Sequence, residues 1–432
     1  MDVYDLVGVG FGPSNMGLAI ALKEDFAHQT ARREFVFLES KSTYSWHHPM
    51  MLPNAKMQIS FMKDLCFLRN PTSAYTFVSY LHHQQRLARF ANLRDFNPSR
   101  KEFDDYLRWV AAQFKDITRY ASRVEAIIPV QHQGRVTHLD VRVRNTLTQD
   151  MSTLRTRNIA LAIGGKAVVP VPYEHPHVFH SSAFLEKISR YEPKKPKRFL
   201  VIGAGQSSAE IYRYLIDQFP KAEIRVACSG IGFKQADDSA YINEIFDHEM
   251  VDRFFSLNQS ERSNLLARHQ DTNYSVADLA LIEQLYREEY EASIGVDHQR
   301  FKIFKFSRLN RLTHNDQCIQ AYLRSTLDGH EYTYEADVVI FATGYHRRHN
   351  NILLEAVTPW LAGSKCTPQL NRRYALATHE NFMPKIYIQG MSETTHGLSD
   401  TLLSVISHRA HDIAQDIVER DVLQPSCQET AV

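Results

Sequence analysis

Residues 3–17 read VYDLVGVGFGPSNMG, an apolar strand-like run that enters a glycine turn and continues as a helical stretch. Glycine is needed where the backbone turns tightly and approaches a pyrophosphate, which the free N–H groups at a helix N-terminus then bind. The glycines of this turn are Gly8, Gly10 and Gly12, and Pro13 stands where the usual fingerprint has its third glycine. The stretch predicts the strand, turn and helix of a dinucleotide-binding unit.

An acid follows the next strand-like run, because FVFLE at residues 35–39 ends in Glu39. In dinucleotide-binding folds a carboxylate at this place accepts hydrogen bonds from a ribose 2′-hydroxyl and repels a 2′-phosphate. The first unit is therefore predicted to bind FAD or NAD.

A second unit of the same kind begins at residue 198 with RFLVIGAGQSSAE, in which Gly203 and Gly205 form the turn. The strand after it, EIRVAC at 223–228, ends without an acid and is followed by Ser229 and Lys234. A hydroxyl and a nearby lysine suit a 2′-phosphate better than a carboxylate does, so the second unit is predicted to bind NADPH.

Composition narrows the class of protein. A chain of 432 residues holds two or three domains, and 50 basic against 49 acidic side chains argue against a nucleic-acid partner. No apolar run approaches the roughly 20 residues of a membrane helix, and the first core strand begins at Val3, so we expect a cytoplasmic protein without a signal peptide. The five cysteines lie far apart and predict free thiols and no metal site: Cys66, Cys228, Cys318, Cys366 and Cys427.

Several longer blocks resemble one enzyme family. They are GVGFGPSN (8–15), MQISFMKDLCFLRNPTS (57–73), GAGQSSAE (203–210), DDSAYINEIF (237–246), NYSVAD (273–278), ATGY (342–345) and THGLSDTLLS (395–404). In this order they are similar to the flavin-dependent N-hydroxylating monooxygenases, the ornithine, lysine and diamine N-hydroxylases of hydroxamate siderophore biosynthesis. The resemblance covers nearly the whole chain.

The resemblance implies an α/β fold with two Rossmann-like domains and a small substrate-binding helical region. The expected FAD domain is discontinuous, at 1–170 and 336–432, and the NADPH domain is inserted at 171–335 with a substrate-contacting helical segment at about 237–295. In the implied reaction NADPH reduces FAD, oxygen adds to give a flavin 4a-hydroperoxide, and a neutral primary amine attacks the distal oxygen. A homo-oligomer, dimer or tetramer, is also expected.

The resemblance carries roles onto individual residues. The FAD site is expected to comprise Gly8, Gly10, Gly12, Pro13, Glu39, Trp46, His47, Gln58, Thr343, Gly344, His396, Gly397 and Leu398. The NADPH site is expected to comprise Gly203, Gly205, Gln206, Ser207, Ser229, Lys234, Asn273 and Tyr345. Substrate is expected to contact Lys63, Asn243, Asn273 and Ser404, with Lys63 on its carboxylate, and the catalytic residues are expected to be Gln58 and Asn273.

The substrate stays open at this point. Cys66-Phe67 stands where ornithine enzymes more often carry a small aliphatic and a hydroxyl residue, and the second unit has no arginine after its second strand. L-Ornithine is favoured over putrescine, cadaverine or histamine. Lys63 could instead serve FAD or form a structural ion pair with Asp64. A Baeyer-Villiger-type monooxygenase, a flavin reductase and a non-catalytic FAD-binding protein are the weaker alternatives.

Overall fold

The fold is seen in a computed structural model that describes residues 3–195, 197–294, 300–315, 317–347, 352–364 and 367–423. The first half of the fold is a parallel five-stranded sheet. Its strands, in spatial order, are Lys385–Ile388, Asn158–Leu161, Leu6–Val9, Phe35–Leu38 and Thr118–Arg119. The central strands are buried on both faces, as parallel strands covered by helices are, which explains their continuous apolar sequences.

A second parallel sheet carries the second glycine turn. Its strands, in spatial order, are Val178–His180, Val338–Phe341, Arg198–Ile202, Glu223–Ala227 and Phe301–Phe304. The predicted α/β class with two dinucleotide-binding sheets is confirmed.

The strand Val338–Phe341 lies in the second sheet, between Val178–His180 and Arg198–Ile202. The sequence-based limit at residue 336 had placed this strand in the first domain, and that placement is wrong. A buried parallel strand reads as the same short apolar run in either sheet, so its sequence does not reveal which sheet it joins. The chain returns to the first sheet only with Lys385–Ile388.

The two sheets are linked by a short antiparallel ribbon, in which Tyr345–His346 pairs with Lys166–Ala167. Two further sheets cover them, and their strands pair antiparallel except for Val3–Tyr4, which pairs parallel with Met151–Thr156. A further small ribbon pairs Gly363–Ser364 with Thr367–Pro368. The strands of the two covering sheets are Val3–Tyr4, Met151–Thr156, Arg135–Asn145 and Ser122–His132 in one, and Ser307–His314, Ile319–Ser325 and Glu331–Ala336 in the other.

Helices fill the remaining layers. The α-helices are Pro13–Glu24, Ala27–Thr30, Phe77–His83, Leu87–Ala91, Arg100–Gln113, Phe184–Ile188, Gln206–Gln218, Ala240–Asn243, His248–Ser256, Gln259–His269, Leu279–Ile294, Glu393–His396 and Ile406–Leu423. The 3₁₀ turns are His48–Met50, Lys115–Ile117, Ser181–Ala183, Glu244–Phe246, Gln270–Thr272, Glu355–Trp360, Leu398–Thr401 and Leu403–Val405. No helix in the described ranges is long and apolar enough to cross a membrane.

Local predictions fare unevenly. Ser99, which precedes an amphipathic run in the sequence, is predicted as a helix cap, and it does cap the helix Arg100–Gln113 by accepting the Glu102 N–H. After the turn-like stretch at 70–73 the sequence predicts a helix from Tyr75 to Leu87. The helix observed there is only Phe77–His83, because the chain turns at Gln85 with a left-handed φ of 56°. Among the cysteines, the thiols at 66, 228 and 318 are free and buried as predicted, whereas positions 366 and 427 lie outside the described residues.

Candidate functional site

The first glycine turn leaves open space in front of a helix. Gly10 has a φ of +83°, and a Cβ there would lie 2.5 Å from the Ala162 carbonyl oxygen, so only glycine fits. Gly12 precedes the helix that Pro13 opens, and a Cβ on Gly12 would meet no atom within 4 Å. The N–H groups of this helix end therefore face an open cradle, which fits the pyrophosphate of a dinucleotide.

Glu39 lies beside this cradle, as the sequence predicts. Its Oε2 accepts the Phe11 N–H at 3.0 Å, and its Oε1 accepts the Lys41 N–H at 3.0 Å. The turn thereby fixes the carboxylate at the end of the strand Phe35–Leu38. This position suits an acceptor for ribose hydroxyls.

Asn15, a residue without a predicted role, holds the turn together. The side chain is buried, and its Nδ2 lies 2.7 Å from the Gly10 carbonyl oxygen and 3.3 Å from those of Val9 and Ala160. Its Oδ1 accepts a hydrogen bond from Gln389 Nε2 at 2.7 Å. Asn15 belongs to the GVGFGPSN block, but a polar side chain in a helix start reads as a cap, so its sequence position gave no signal.

A buried ion pair fixes the segment that we call the closing loop, residues 390–404. Arg409 and Asp400 are almost fully buried and pair at 2.9 Å, and Arg409 also donates to Ser14 Oγ at 2.8 Å. Asp400 in turn accepts the Ser392 N–H. The ion pair connects the closing loop with the first turn of the helix Pro13–Glu24, and the contact of Arg409 with Ser14 joins residues too far apart in sequence to be predicted.

His396 positions the closing loop through side-chain contacts within the protein. Its buried ring stacks on Tyr374 at a centroid distance of 4.0 Å, Nδ1 lies 2.8 Å from Thr395 Oγ1, and Nε2 lies 3.2 Å from the Arg372 carbonyl oxygen. Burial lowers the pKa of His396 to about 4, so the imidazole is neutral. With both nitrogens occupied, His396 offers a cofactor its backbone, as do Gly397 and Leu398.

Ser404 ends the closing loop with a polar atom that the protein leaves unpaired. The residue is 4% exposed, and its hydroxyl has no hydrogen-bond partner among the described residues. A buried hydroxyl without a partner is unfavourable by about 1–3 kcal/mol. This unpaired hydroxyl is suited to form a hydrogen bond with a bound ligand.

Gln58 is exposed, and hydrogen bonds and a ring contact hold the segment that carries it. Its neighbour Met57 is buried and donates its N–H to the Pro98 carbonyl oxygen at 2.9 Å, while Phe61 donates to Phe96 at 2.8 Å. Phe61 stacks on Phe96 with a centroid distance of 5.9 Å. Gln58 therefore projects from a rigid support.

Lys63 is half-buried, and no carboxylate of the described residues lies within 4 Å of its ammonium group. The neighbouring Asp64 is occupied elsewhere, since its carboxylate accepts the N–H groups of Cys66, Phe67 and Phe77 at 2.8, 2.7 and 2.6 Å. The alternative of a Lys63–Asp64 ion pair is thus not formed. A half-buried ammonium group favours an anionic partner, which leaves Lys63 suited to a ligand carboxylate.

Trp46 and His47 pack edge to face at 4.7 Å, and Trp46 also contacts Phe103. His47 has a left-handed φ of 45° and an exposed side chain. Desolvation by the neighbouring protein, followed by the charge of Arg100, lowers the pKa of His47 to about 4. The ring is therefore a neutral donor or acceptor at physiological pH.

The second glycine turn repeats the design of the first. Gly203 has a φ of +129°, and a Cβ there would lie 2.3 Å from the Ala342 carbonyl oxygen. Gly205 precedes the helix Gln206–Gln218, with Ser207 in its first turn. Gln206, expected to bind cofactor, uses its side chain within the protein: Oε1 accepts the Asp278 N–H at 2.9 Å, and Nε2 donates to Glu210 at 3.0 Å.

Ser229 and Lys234 differ in their availability. Ser229 is exposed just after the strand Glu223–Ala227, where the sequence predicts a 2′-phosphate. Lys234 is exposed and forms an ion pair with Asp271. A phosphate at this place would have to share Lys234 with that carboxylate.

The two asparagines lie on different segments. Asn243 ends the helix Ala240–Asn243, and its Nδ2 donates to the Asp238 carbonyl oxygen at 2.8 Å. Asn273 begins a segment that reaches the second turn, because a Cβ on Gly205 would lie 3.7 Å from Ser275 Cα. Asn273 is half-buried and near the predicted NADPH turn.

Thr343, Gly344 and Tyr345 follow the strand Val338–Phe341 and lead into the linking ribbon. Thr343 Oγ1 donates to the Val168 carbonyl oxygen at 2.6 Å, and His180 Nε2 lies 3.1 Å from the Gly344 carbonyl oxygen. These contacts fix the point at which the chain leaves the second sheet. Tyr345 remains partly exposed there.

Neither helix that follows a glycine turn has a side-chain cap on its N-terminus. These two N-termini, with the acid beside the first turn and the unpaired buried hydroxyl, fit two bound dinucleotides. The fold and these turns define an oxidoreductase that binds two dinucleotides. The family model described as L-lysine 6-monooxygenase/L-ornithine 5-monooxygenase matches residues 2–347. The chain belongs to this family, and the predicted class, a flavin-dependent N-hydroxylating monooxygenase, is confirmed.

Individual relatives sharpen the comparison. The chain is 39% identical to an L-ornithine N(5)-monooxygenase of Pseudomonas aeruginosa over 424 residues, which is 96% of this chain and 94% of that one. It is similar to the structure of the Kutzneria sp. 744 ornithine N-hydroxylase with reduced FAD, NADP⁺ and L-ornithine (34% identity, TM-score 0.92, 97% and 100% of the chains). It is also similar to the FAD-bound cadaverine monooxygenase DfoA of Erwinia amylovora (25% identity, TM-score 0.85, 100% and 99% of the chains).

Proposed function

We propose that the protein hydroxylates the side-chain amine of L-ornithine, using FAD, NADPH and O₂, for hydroxamate siderophore biosynthesis. The observation that carries the two-cofactor part is the pair of equivalent glycine turns, each at the carboxyl edge of a parallel sheet and in front of a helix. The relatives with FAD, NADP⁺ and L-ornithine support both the cofactors and the substrate.

The first turn, Glu39 and the closing loop would hold FAD, which supplies the oxygen-activating chemistry when bound. The second turn, Ser229 and Asn273 would hold NADPH. The chain's own contribution is to position the amine and to exclude water, which the rigid support under Gln58 and the buried ion pair under the closing loop favour.

Lys63 is the proposed partner of the ornithine carboxylate, because it is half-buried without a carboxylate partner in the described part of the chain. Gln58, Asn243 and Asn273 would complete the substrate and nicotinamide contacts, with Ser404 donating its unpaired hydroxyl. The reacting amine must be deprotonated to be nucleophilic, so activity is expected to rise toward alkaline pH.

A panel of ornithine, lysine, putrescine, cadaverine and histamine, scored by hydroxylamine formation, tests the proposal. Measuring the hydroxylamine product excludes NADPH oxidation that is not coupled to hydroxylation. In Lys63→Met we expect KM for ornithine to rise by at least tenfold while turnover of any accepted diamine stays unchanged. Equal loss on ornithine and a diamine would show that Lys63 does not bind the carboxylate.

A diamine is the second candidate substrate, because a cadaverine monooxygenase is among the structural relatives and Cys66-Phe67 departs from the ornithine pattern. Hydroxylamine formed from cadaverine or putrescine, with none from ornithine, would favour this candidate. The cytoplasmic location and the homo-oligomeric state stay predictions, and light scattering of the purified enzyme would measure the latter.

A further inference from the structure

A cavity of about 280 Å³ lies between the second unit and the closing loop. Three segments line it: Tyr274 next to Asn273, the linking ribbon with the following Arg347, and the closing loop. The closing-loop side is formed by Met391, Glu393, Thr394 and Thr401. Its volume is near the lower end of small-molecule pockets, about 300 Å³, and suits one ring with its substituent rather than a whole dinucleotide.

Two hydrogen bonds cross this cavity between the units. The Tyr274 hydroxyl donates to Glu393 Oε1 at 2.9 Å, and Arg347 donates to the Thr401 carbonyl oxygen at 2.7 Å. Each bond joins a residue of the second unit or the ribbon to the closing loop. The cavity therefore has a carboxylate on its closing-loop wall, oriented by a tyrosine that follows Asn273.

The Glu393 carboxylate is half-buried, and burial raises its pKa above the ordinary value. The Tyr274 hydroxyl and the Arg347 charge oppose that rise, whereas Asp400 adds to it. A carboxylate in such surroundings gains from a further positive charge nearby. Its hydrogen bond to Tyr274 leaves the second oxygen without a partner among the described residues.

We propose that Glu393 is a positioning residue that favours the oxidised cofactor when the nicotinamide end of NADP(H) lies in this cavity. The proposal rests on the NADPH role of the second unit. The oxidised nicotinamide ring carries a positive charge and the reduced ring does not. A carboxylate beside the ring therefore stabilises bound NADP⁺ relative to bound NADPH.

Binding measurements on the holoenzyme test this assignment. The dithionite-reduced enzyme at pH 8 is titrated anaerobically with NADP⁺, NADPH and 2′-phospho-ADP-ribose, which lacks the nicotinamide. In Glu393→Gln we expect Kd for NADP⁺ to rise on the order of fivefold relative to that for NADPH, the size expected of a half-buried charge. Binding of 2′-phospho-ADP-ribose should not change.

Tyr274→Phe is the matched control, because it removes the same cross-domain hydrogen bond and keeps the carboxylate charge. Its ratio of Kd for NADP⁺ to Kd for NADPH should stay near that of the wild type. An equal loss in both variants, or equal weakening of all three ligands in Glu393→Gln, would show a merely structural contact and overturn the proposal. So would unchanged binding in Glu393→Gln. No amine is present, so failure of the ornithine assay leaves this result intact.

Discussion

A buried ion pair between Arg100 and Glu210 joins the two dinucleotide-binding units. The guanidinium contacts both carboxylate oxygens, at 2.8 and 3.0 Å, and also donates to the Met50 carbonyl oxygen at 2.7 Å. Their side chains are 13% and 7% exposed. Glu210 in turn accepts from Gln206 of the second turn. This chain of contacts runs from the loop after His47 to the proposed NADPH turn.

Glu210→Gln should destabilise the enzyme by about 3 kcal/mol, because it leaves a nearly buried guanidinium without its counter-charge. Removing a partner of a fully buried pair costs about 3–5 kcal/mol, and the residual exposure of Arg100 places this pair at the lower end. Because the pair holds the two units in register, anaerobic flavin reduction by NADPH should also slow, by about tenfold, while reduction by dithionite should not.

The assay is urea unfolding together with stopped-flow flavin reduction, applied to Glu210→Gln, Arg100→Met and the double variant. The double variant should recover part of the stability, since no unpaired buried charge remains. Glu186→Gln is the control, because its pair with Arg190 is at 3.5 Å and largely exposed, so we expect less than about 0.5 kcal/mol. If Glu210→Gln behaved like Glu186→Gln in both measurements, the reasoning would be refuted.

Three further predictions concern the first unit. Gly10→Ala should prevent folding or flavin binding, because it places a side chain at a left-handed φ and against the Ala162 carbonyl oxygen. Gly12→Ala should keep the melting temperature of the wild type but bind less flavin per protein, measured by flavin absorbance. Asp400→Asn should lower the free energy of unfolding by about 3–5 kcal/mol because Arg409 stays buried and unpaired; a loss below 1 kcal/mol in urea would contradict this. The pKa of His396 is lowered in the folded state, so the neutral ring contributes to the free energy of unfolding above pH 6.5, and about 3 kcal/mol of this contribution is lost as the pH falls toward 4. In His396→Gln, the free energy of unfolding measured in urea should therefore change less between pH 6.5 and 4.

Short-range patterns account for what the sequence predicted well. Glycine turns, an acid after the second strand and a serine before a helix act within a few residues, and the structure confirms the Ser99 cap and places Glu39 at the first turn. The strand Val338–Phe341 is a feature that such short-range patterns do not place correctly. Its apolar run specified a buried parallel strand, but only pairing across the chain decides which sheet it joins.

The site residues likewise divide into those that short-range patterns predict and those that depend on contacts far along the chain. The turns and Glu39 came together as predicted, and the roles of Lys63, Gln58 and Asn273 stay predictions. Residues that hold the site in place were missed because they bond to partners far along the chain: Asn15 bonds to Gln389, and Arg409, the partner of Asp400, bonds to Ser14. A buried polar side chain looks like a cap or a surface residue until its partner is known.

Two of the contacts between the units differ in strength, and this difference has a mechanistic consequence. Arg100 and Glu210 form a nearly buried pair with two hydrogen bonds, whereas Tyr274 and Glu393 share one hydrogen bond at a half-exposed cavity. Breaking the first leaves an unpaired charge inside the protein, while breaking the second lets both groups be solvated. We therefore expect the units to separate at the cavity while the Arg100 contact persists, so that the nicotinamide end can leave without loss of the alignment between the turns.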